Sequence, residues 1–305
     1  MKQSTLVDTM NSTIMQSEFG PDAADVTKNG SIGDIIRQTN NLSAEQVERI
    51  LAHQRHSGMK FGEAAIALGF AKEEDVLWAL AQQFHYPYSN QSSQRLGSEL
   101  VVATRPFCDQ AEMFRAMRSQ LLSHVFNADG HPKPALAVVS PEAGDGKSYF
   151  AANIAVAFSQ LGGRSLLIDA DMRSPRLHEV FGVANTSGLS GILAGRAETK
   201  VIHAVKDLPS LHVLSVGVVP PNPLELLERP TFGLMIRQLA QKFDHVIVDT
   251  PSASAGSDAR VIAAHCGAAL GVCRKGRTSM DSMHALFAPM KLGAVRMAGV
   301  VINEY

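Results

Sequence analysis

The chain has 305 residues, a formal net charge of −1 and 45% apolar residues, a balance that excludes general electrostatic attraction to nucleic acid or anionic lipid. Three cysteines, Cys108, Cys266 and Cys273, are too few and too scattered for a disulfide framework or a thiolate metal centre. With no apolar run of about 18 residues and a polar, mixed start in place of a signal peptide, a cytoplasmic location is expected.

Residues 1–28 mix Ser, Thr, Asn, Gln and Asp with isolated apolar side chains and are expected to be disordered. Within 29–88, residues 31–54 and 60–83 repeat each other at an offset of 29: Gly33 aligns with Gly62, Glu45 with Glu74, Val47 with Val76, Leu51 with Leu80 and Gln54 with Gln83. Each copy reads as a short helix, a turn near Asn40 or Gly69, and a second helix. In copy one, Ser43 and Gln46 form the capping-box signature of that second helix. Two copies make a small all-helical domain. Trp78, the one tryptophan, falls on its last helix as a core candidate. Residues 89–105, rich in Ser, Asn and Gln at their start, read as a linker. From residue 106 a larger domain follows. Its first helix carries Phe114, Met117, Leu121 and Leu122 on an apolar side, and Glu112, Arg115 and Arg118 at three-residue spacing on a polar one.

The stretch Ala135–Ser148, ALAVVSPEAGDGKS, organises this domain. A buried apolar strand breaks into a glycine-bearing turn that opens a helix, the order a phosphate-binding loop requires. Gly144 and Gly146 let backbone N–H groups face an anion at the helix N-terminus, with Asp145 and Tyr149 in the same cradle. Lys147 is placed for the β- and γ-phosphates and the Ser148 hydroxyl for Mg²⁺. Pro141 stands where such loops usually have their first glycine.

Strands then alternate with helices: strands at 165–168, 211–216, 245–248, 268–272 and 297–302, and helices at 147–161, 223–242, 257–265 and 279–291. Nearly continuous apolar strands separated by helices predict an α/β fold, a parallel sheet covered by helices on both faces. LLIDADMR puts Asp169 and Asp171 at the carboxyl end of one strand, with Arg173 beyond, and VIVDTP puts Asp249 at the end of another. Ligands of such sheets bind at that edge. A strand-end Asp can also cap a turn or helix. One Lys–Ser and two Asp motifs on one sheet edge point to Mg²⁺ and ATP.

Together these motifs resemble the bacterial tyrosine autokinases of polysaccharide export, built on the MinD/ParA-type ATPase fold. RSPRLH from Arg173, GLSGILAG from Gly188, PPNPLELL from Pro220 and GVVIN from Gly299 agree. The resemblance implies an ATP-dependent tyrosine kinase regulating exopolysaccharide polymerisation and export. In it Lys147, Asp169, Asp171 and Arg173 are catalytic. Gly144, Asp145, Gly146, Lys147, Ser148 and Tyr149 bind nucleotide, and Ser148, Asp171 and Asp249 hold the metal. It also implies oligomers through the Glu112, Arg115, Arg118 helix and recruitment to the inner membrane by a chain-length partner protein. Family members usually end in a tyrosine cluster, whereas this chain has four tyrosines and only Tyr305 in its tail. The acceptor is then Tyr305 or a partner's tyrosine, and a MinD/ParA-like ATP switch without protein phosphorylation is the alternative. The 29–88 repeat resembles the N-terminal domain of type II secretion and pilus ATPases, whose paired 24-residue motifs with a five-residue spacer bind cyclic di-GMP. The arginine opening each such motif is Ser31 or Lys60 here.

Overall fold

The computed structural model describes residues 31–83, 96–127, 133–196, 199–293 and 295–304, which fall in two compact units parting between Ser92 and Ser93. The segment expected to be disordered, residues 1–28, and Tyr305 lie outside the described residues.

Among its described residues the smaller unit has four helices, α1 (Ile32–Thr39), α2 (Ala44–Ser57), α3 (Phe61–Ala67) and α4 (Glu73–Gln83). The repeat is visible in its caps. Ser31 and Ser43 each close a capping box, with Asp34 and Gln46, and Glu63 accepts from the Lys60 amide at 2.9 Å. Ile36, Ile50, Ala64, Ala65 and Ala79 form the core. A Cβ on Gly62 would lie 2.5 Å from Val76 Cγ1, so the glycine of copy two is what lets α3 approach α4 closely. The copies differ at their turns. Gly69 takes the left-handed conformation in copy two, but in copy one it falls one residue later, on Asn41, a residue type that tolerates it. Asn40 is thereby freed to donate to Asp75 Oδ2 at 2.9 Å.

In the larger unit, β1 (Ala135–Val139), β2 (Ser165–Asp169), β3 (Ile202–Val205), β4 (Leu208–Leu214), β5 (His245–Asp249), β6 (Gly267–Arg274) and β7 (Arg296–Asn303) form one sheet in the order β3-β4-β2-β5-β1-β6-β7. Period-two alternation divides its side chains between two cores. Ala135, Ala137, Val139, Leu166, Ile168, Val246 and Val248 face one; Leu136, Val138, Leu167 and Ile247 face the other. Both faces are covered by helices, as the apolar strands predict. One strand corrects the expected all-parallel sheet: β3 pairs antiparallel with β4. Only Lys206 and Asp207 connect them, and a two-residue link permits a hairpin but no crossover.

The helix after the phosphate loop, α7 (Lys147–Ser159), is buried from Phe150 to its end. Its apolar residues run all round it, as in a central helix packed on every side. Helix α6 (Asp109–Leu121) lies on it, with the Phe114 ring 5.7 Å from Phe150. The expected linker 89–105 is described from Leu96, and from there on it is part of this unit. It forms α5 (Val101–Thr104) and buries Leu100, Val101, Val102 and Ala103. Buried Asn153 of α7 holds it, accepting from Val102 N at 3.1 Å and donating to Glu99 O at 2.9 Å. The remaining helices are α8 (Leu177–Phe181), α9 (Leu189–Leu193), α10 (Pro223–Leu227), α11 (Pro230–Lys242), α12 (Asp258–Cys266) and α13 (Met280–Leu292). The single helix expected over 223–242 is two, because Arg229, preceding Pro230, is forced into extended backbone at ψ 142°.

Candidate active site

The carboxyl ends of β1, β2 and β5, the three central parallel strands, converge on one edge. From β1 the chain turns through Ser140–Gly146 into α7. Gly144 and Gly146 adopt φ of 83° and 100°, conformations that L side chains avoid. Ala253 N donates to Ser140 O and Ser254 N to Pro141 O, each at 2.9 Å. The segment after β5 thus fastens the base of the loop, and Pro141, which lacks an N–H, serves there as acceptor.

Asp145 is buried and braces the loop. Its Oδ2 accepts from Glu142 N at 2.9 Å, its Oδ1 from the Thr278 hydroxyl at 2.9 Å, and its carbonyl from Asn303 Nδ2 at 3.2 Å. The Thr278 and Asn303 contacts were not legible in the sequence. Lys147 is 7% exposed at the first turn of α7, with Ser148 beside it. The Tyr149 ring packs on Phe114 at 6.0 Å, so what Tyr149 offers the loop is its backbone.

Asp169 and Asp249 are register partners on neighbouring strands and are both fully buried. Asp169 accepts from three backbone N–H groups: Arg176 and Leu177 on Oδ2 at 3.2 and 3.1 Å, and Asp171 on Oδ1 at 3.2 Å. Burial, and then the Asp249 charge, push its carboxyl well above the usual carboxylate range. Asp249 has no hydrogen-bond partner on either oxygen. Burial lifts it to about 7, opposed by the neighbouring Ser148 hydroxyl and the Lys147 charge. Asp171 Oδ1 accepts from the amides of Arg173 and Ser174 at 3.1 and 2.9 Å. Arg173 reaches Asp258, the first residue of α12, which the sequence reading did not single out.

A fully buried, unpartnered carboxylate beside a serine hydroxyl and a lysine fits a hydrated divalent cation held with nucleotide phosphates. Such a cation takes only one or two protein carboxylates, and among the described residues no three His, Cys, Asp or Glu side chains form a cage. The expected oligomerisation residues are engaged within the chain. Arg115 bonds Glu112 and the Pro106 carbonyl, and Arg118 donates to Ala157 O at 2.8 Å.

Residues 136–305 match the CobQ/CobB/MinD/ParA nucleotide binding domain. Tyrosine-protein kinase wzc of Salmonella typhimurium is 32% identical over 207 residues, covering 68% of this chain and 28% of that protein's length. The putative tyrosine-protein kinase CapB of Staphylococcus aureus is 36% identical over 168 residues, 54% of this chain and 72% of that protein. The kinase domain of the Escherichia coli tyrosine kinase ETK superposes with a TM-score of 0.65 at 29% identity, covering 71% of this chain and 84% of that one. The edge described above is that of a P-loop nucleotide-binding domain. The chain belongs to the bacterial tyrosine-protein kinase family built on it. No helix among the described residues is long and apolar enough to cross a membrane.

Proposed function

We propose that this chain is an ATP-dependent tyrosine kinase that regulates exopolysaccharide or capsule polymerisation and export. The observation that carries the reading is Asp249, buried at the centre of the edge with neither oxygen hydrogen-bonded and flanked by the phosphate loop's Lys147 and Ser148. In this reading the amides of Gly144, Asp145, Gly146 and Tyr149 cradle the phosphates and Lys147 neutralises the β- and γ-oxygens. Ser148, Asp171 and Asp249 hold Mg²⁺, which, when bound with ATP, supplies charge neutralisation between the phosphates. Asp169 is the base or organiser beside the attacking phenol. Arg173 faces the transferring group. Phosphoryl transfer asks for positioning and charge, and these residues offer both.

The acceptor is Tyr305 or a tyrosine of a membrane chain-length partner that recruits the chain to the inner membrane. Scarcity of tyrosine, four in all, favours one alternative, an ATP switch that controls assembly of the export machinery without phosphorylating protein. Incubation with γ-labelled ATP and Mg²⁺, with and without the partner's cytosolic segment, decides between them. Label on Tyr305 or a partner tyrosine, lost in Lys147→Ala, is the expected result; ATP turnover with no labelled protein supports the switch.

Oligomerisation through the Glu112 helix belongs to the same reading. Glu112 is the exposed member, 66% against 16% for Arg115, and Glu112→Lys should shrink the particle seen by light scattering. An unchanged size would reduce the helix to a solvated face. For the N-terminal repeat, cyclic di-GMP is the ligand the resemblance implies. Ser31 and Lys60, standing where arginines open the related motifs, cannot supply bidentate guanidinium contacts. Calorimetric titration with cyclic di-GMP tests it, and no heat of binding would leave the repeat a docking or structural unit.

A further inference from the structure

We propose that Asp258 is a positioning residue that aims the Arg173 guanidinium across the mouth between the two acid-bearing strand ends, an inference resting on the kinase reading above. Arg173 follows β2 and Asp258 begins the helix after β5, so the pair spans the two loops whose strands carry Asp169 and Asp249. The contact is a fork: Nε to Oδ1 at 3.2 Å and Nη2 to Oδ2 at 3.0 Å. The Asp258 side chain is 1% exposed and that of Arg173 36%. A buried carboxylate stripped of its cation is strongly unfavourable, so Asp258 commits one edge of the guanidinium and fixes its plane. Nη1 and the second Nη2 hydrogen stay available for an anion.

The fold also reserves space for the pair. A Cβ on Gly256 would meet Asp258 Oδ2 at 2.7 Å and Arg173 Nη2 at 3.1 Å, so a side chain there would push into the fork. Without Asp258, Arg173 would be left to other carboxylates of this edge, among them Asp171, whose Oδ1 already accepts from the Arg173 amide. An arginine collapsed onto those oxygens would compete with a cation for them. Asp258 draws the arginine off, which is consistent with Asp249 lacking a hydrogen-bond partner.

The test is steady-state ATP turnover by the full chain with Mg²⁺, together with binding of a fluorescent ATP analogue and melting curves. Asp258→Asn and Arg173→Ala should each lower kcat by about tenfold or more, with KM for ATP within about twofold. The double variant Arg173→Ala/Asp258→Ala should be no slower than Arg173→Ala. Added guanidinium ion should restore turnover to Arg173→Ala while Asp258 is present, and not to the double variant. If Asp258→Asn melts early, Asp258→Glu, which keeps the charge but shifts the fork by a methylene, should show the same fall in kcat with native melting. Wild-type kcat in Asp258→Asn, or single losses that multiply in the double variant, would overturn the positioning role alone. A wild-type chain that turns over no ATP would overturn the kinase reading and this inference with it.

Discussion

Asp169 and Asp249 stand side by side on adjacent strands, equally buried, yet their surroundings are opposite. Three backbone N–H groups converge on Asp169 and shape the loop that leads to α8. None meets Asp249 in hydrogen-bonding geometry, and the Ser148 hydroxyl and Thr250 amide beside it lower its proton affinity without overcoming burial. The contrast separates two uses of one side chain at one depth. Asp169 is a structural acceptor in its own right, whatever chemistry it adds. Asp249 has no partner in hydrogen-bonding geometry, and a buried group left so in a native fold calls for a partner from outside. Burial alone does not distinguish a functional carboxylate from a capping one; the hydrogen-bond accounting around it does.

The largest break in this contrast comes from removing the cation beside Asp249. Lys147→Ala should abolish ATP turnover while the circular dichroism spectrum stays native, and turnover retained in that variant would refute the site assignment. Next in size is the pair of alanine variants. Asp249→Ala should cut turnover by about a hundredfold or more and leave the ligand-free melting temperature unchanged or raised, since it deletes an unpaired buried charge. Asp169→Ala should lower stability by about 1–3 kcal/mol, because it orphans backbone donors, one of them on buried Leu177. Denaturant unfolding measures both, and a larger loss at Asp249 than at Asp169 would reverse the comparison.

The smallest effect is on pH. Both carboxyls are raised in the folded state, so the fold binds more protons than the unfolded chain. The Asp249 contribution is fully present below the ordinary carboxylate value of 3.8 and is lost as pH rises towards its folded value of about 7. Ligand-free melting temperature should therefore fall between pH 5 and pH 8, less steeply in Asp249→Asn. Mg²⁺ with ATP should raise it more at pH 8 than at pH 6. A flat ligand-free profile in the wild type would show that Asp249 finds a partner in the folded protein.

The parts of the site that were legible in the sequence are local ones. Gly144, Gly146, Lys147 and Ser148 are set by a strand-to-helix turn, and Asp169, Asp171 and Asp249 by the ends of apolar runs, so short-range pattern sufficed. What escaped is what long-range packing decides. Asp258 meets Arg173 from 85 residues away, and Thr278 and Asn303 reach Asp145 across still longer separations. The Glu112–Arg118 spacing read as a polar outer face, yet Arg118 turns inward to an α7 carbonyl; spacing does not reveal which neighbour a long side chain will find. Strand β3 was missed because it is only four residues long, with His203 within it, and its hairpin with β4 defines it. The break at Pro230 was readable and shows local stereochemistry overriding apolar periodicity.

The bracing of Asp145 by Thr278 and Asn303 bears on how the chain is born. On a ribosome, strand β1 emerges long before either of its neighbours in the sheet, β5 and β6. The loop behind it gains its braces in turn, from Ala253 and Ser254 after β5, from Thr278 after β6 and from Asn303 on β7. A nascent chain therefore carries every glycine and the lysine of its phosphate loop before the contacts that brace that loop exist. Its phosphate loop is completed by contacts 133 and 158 residues apart in sequence, which makes this a slow, non-local fold to assemble.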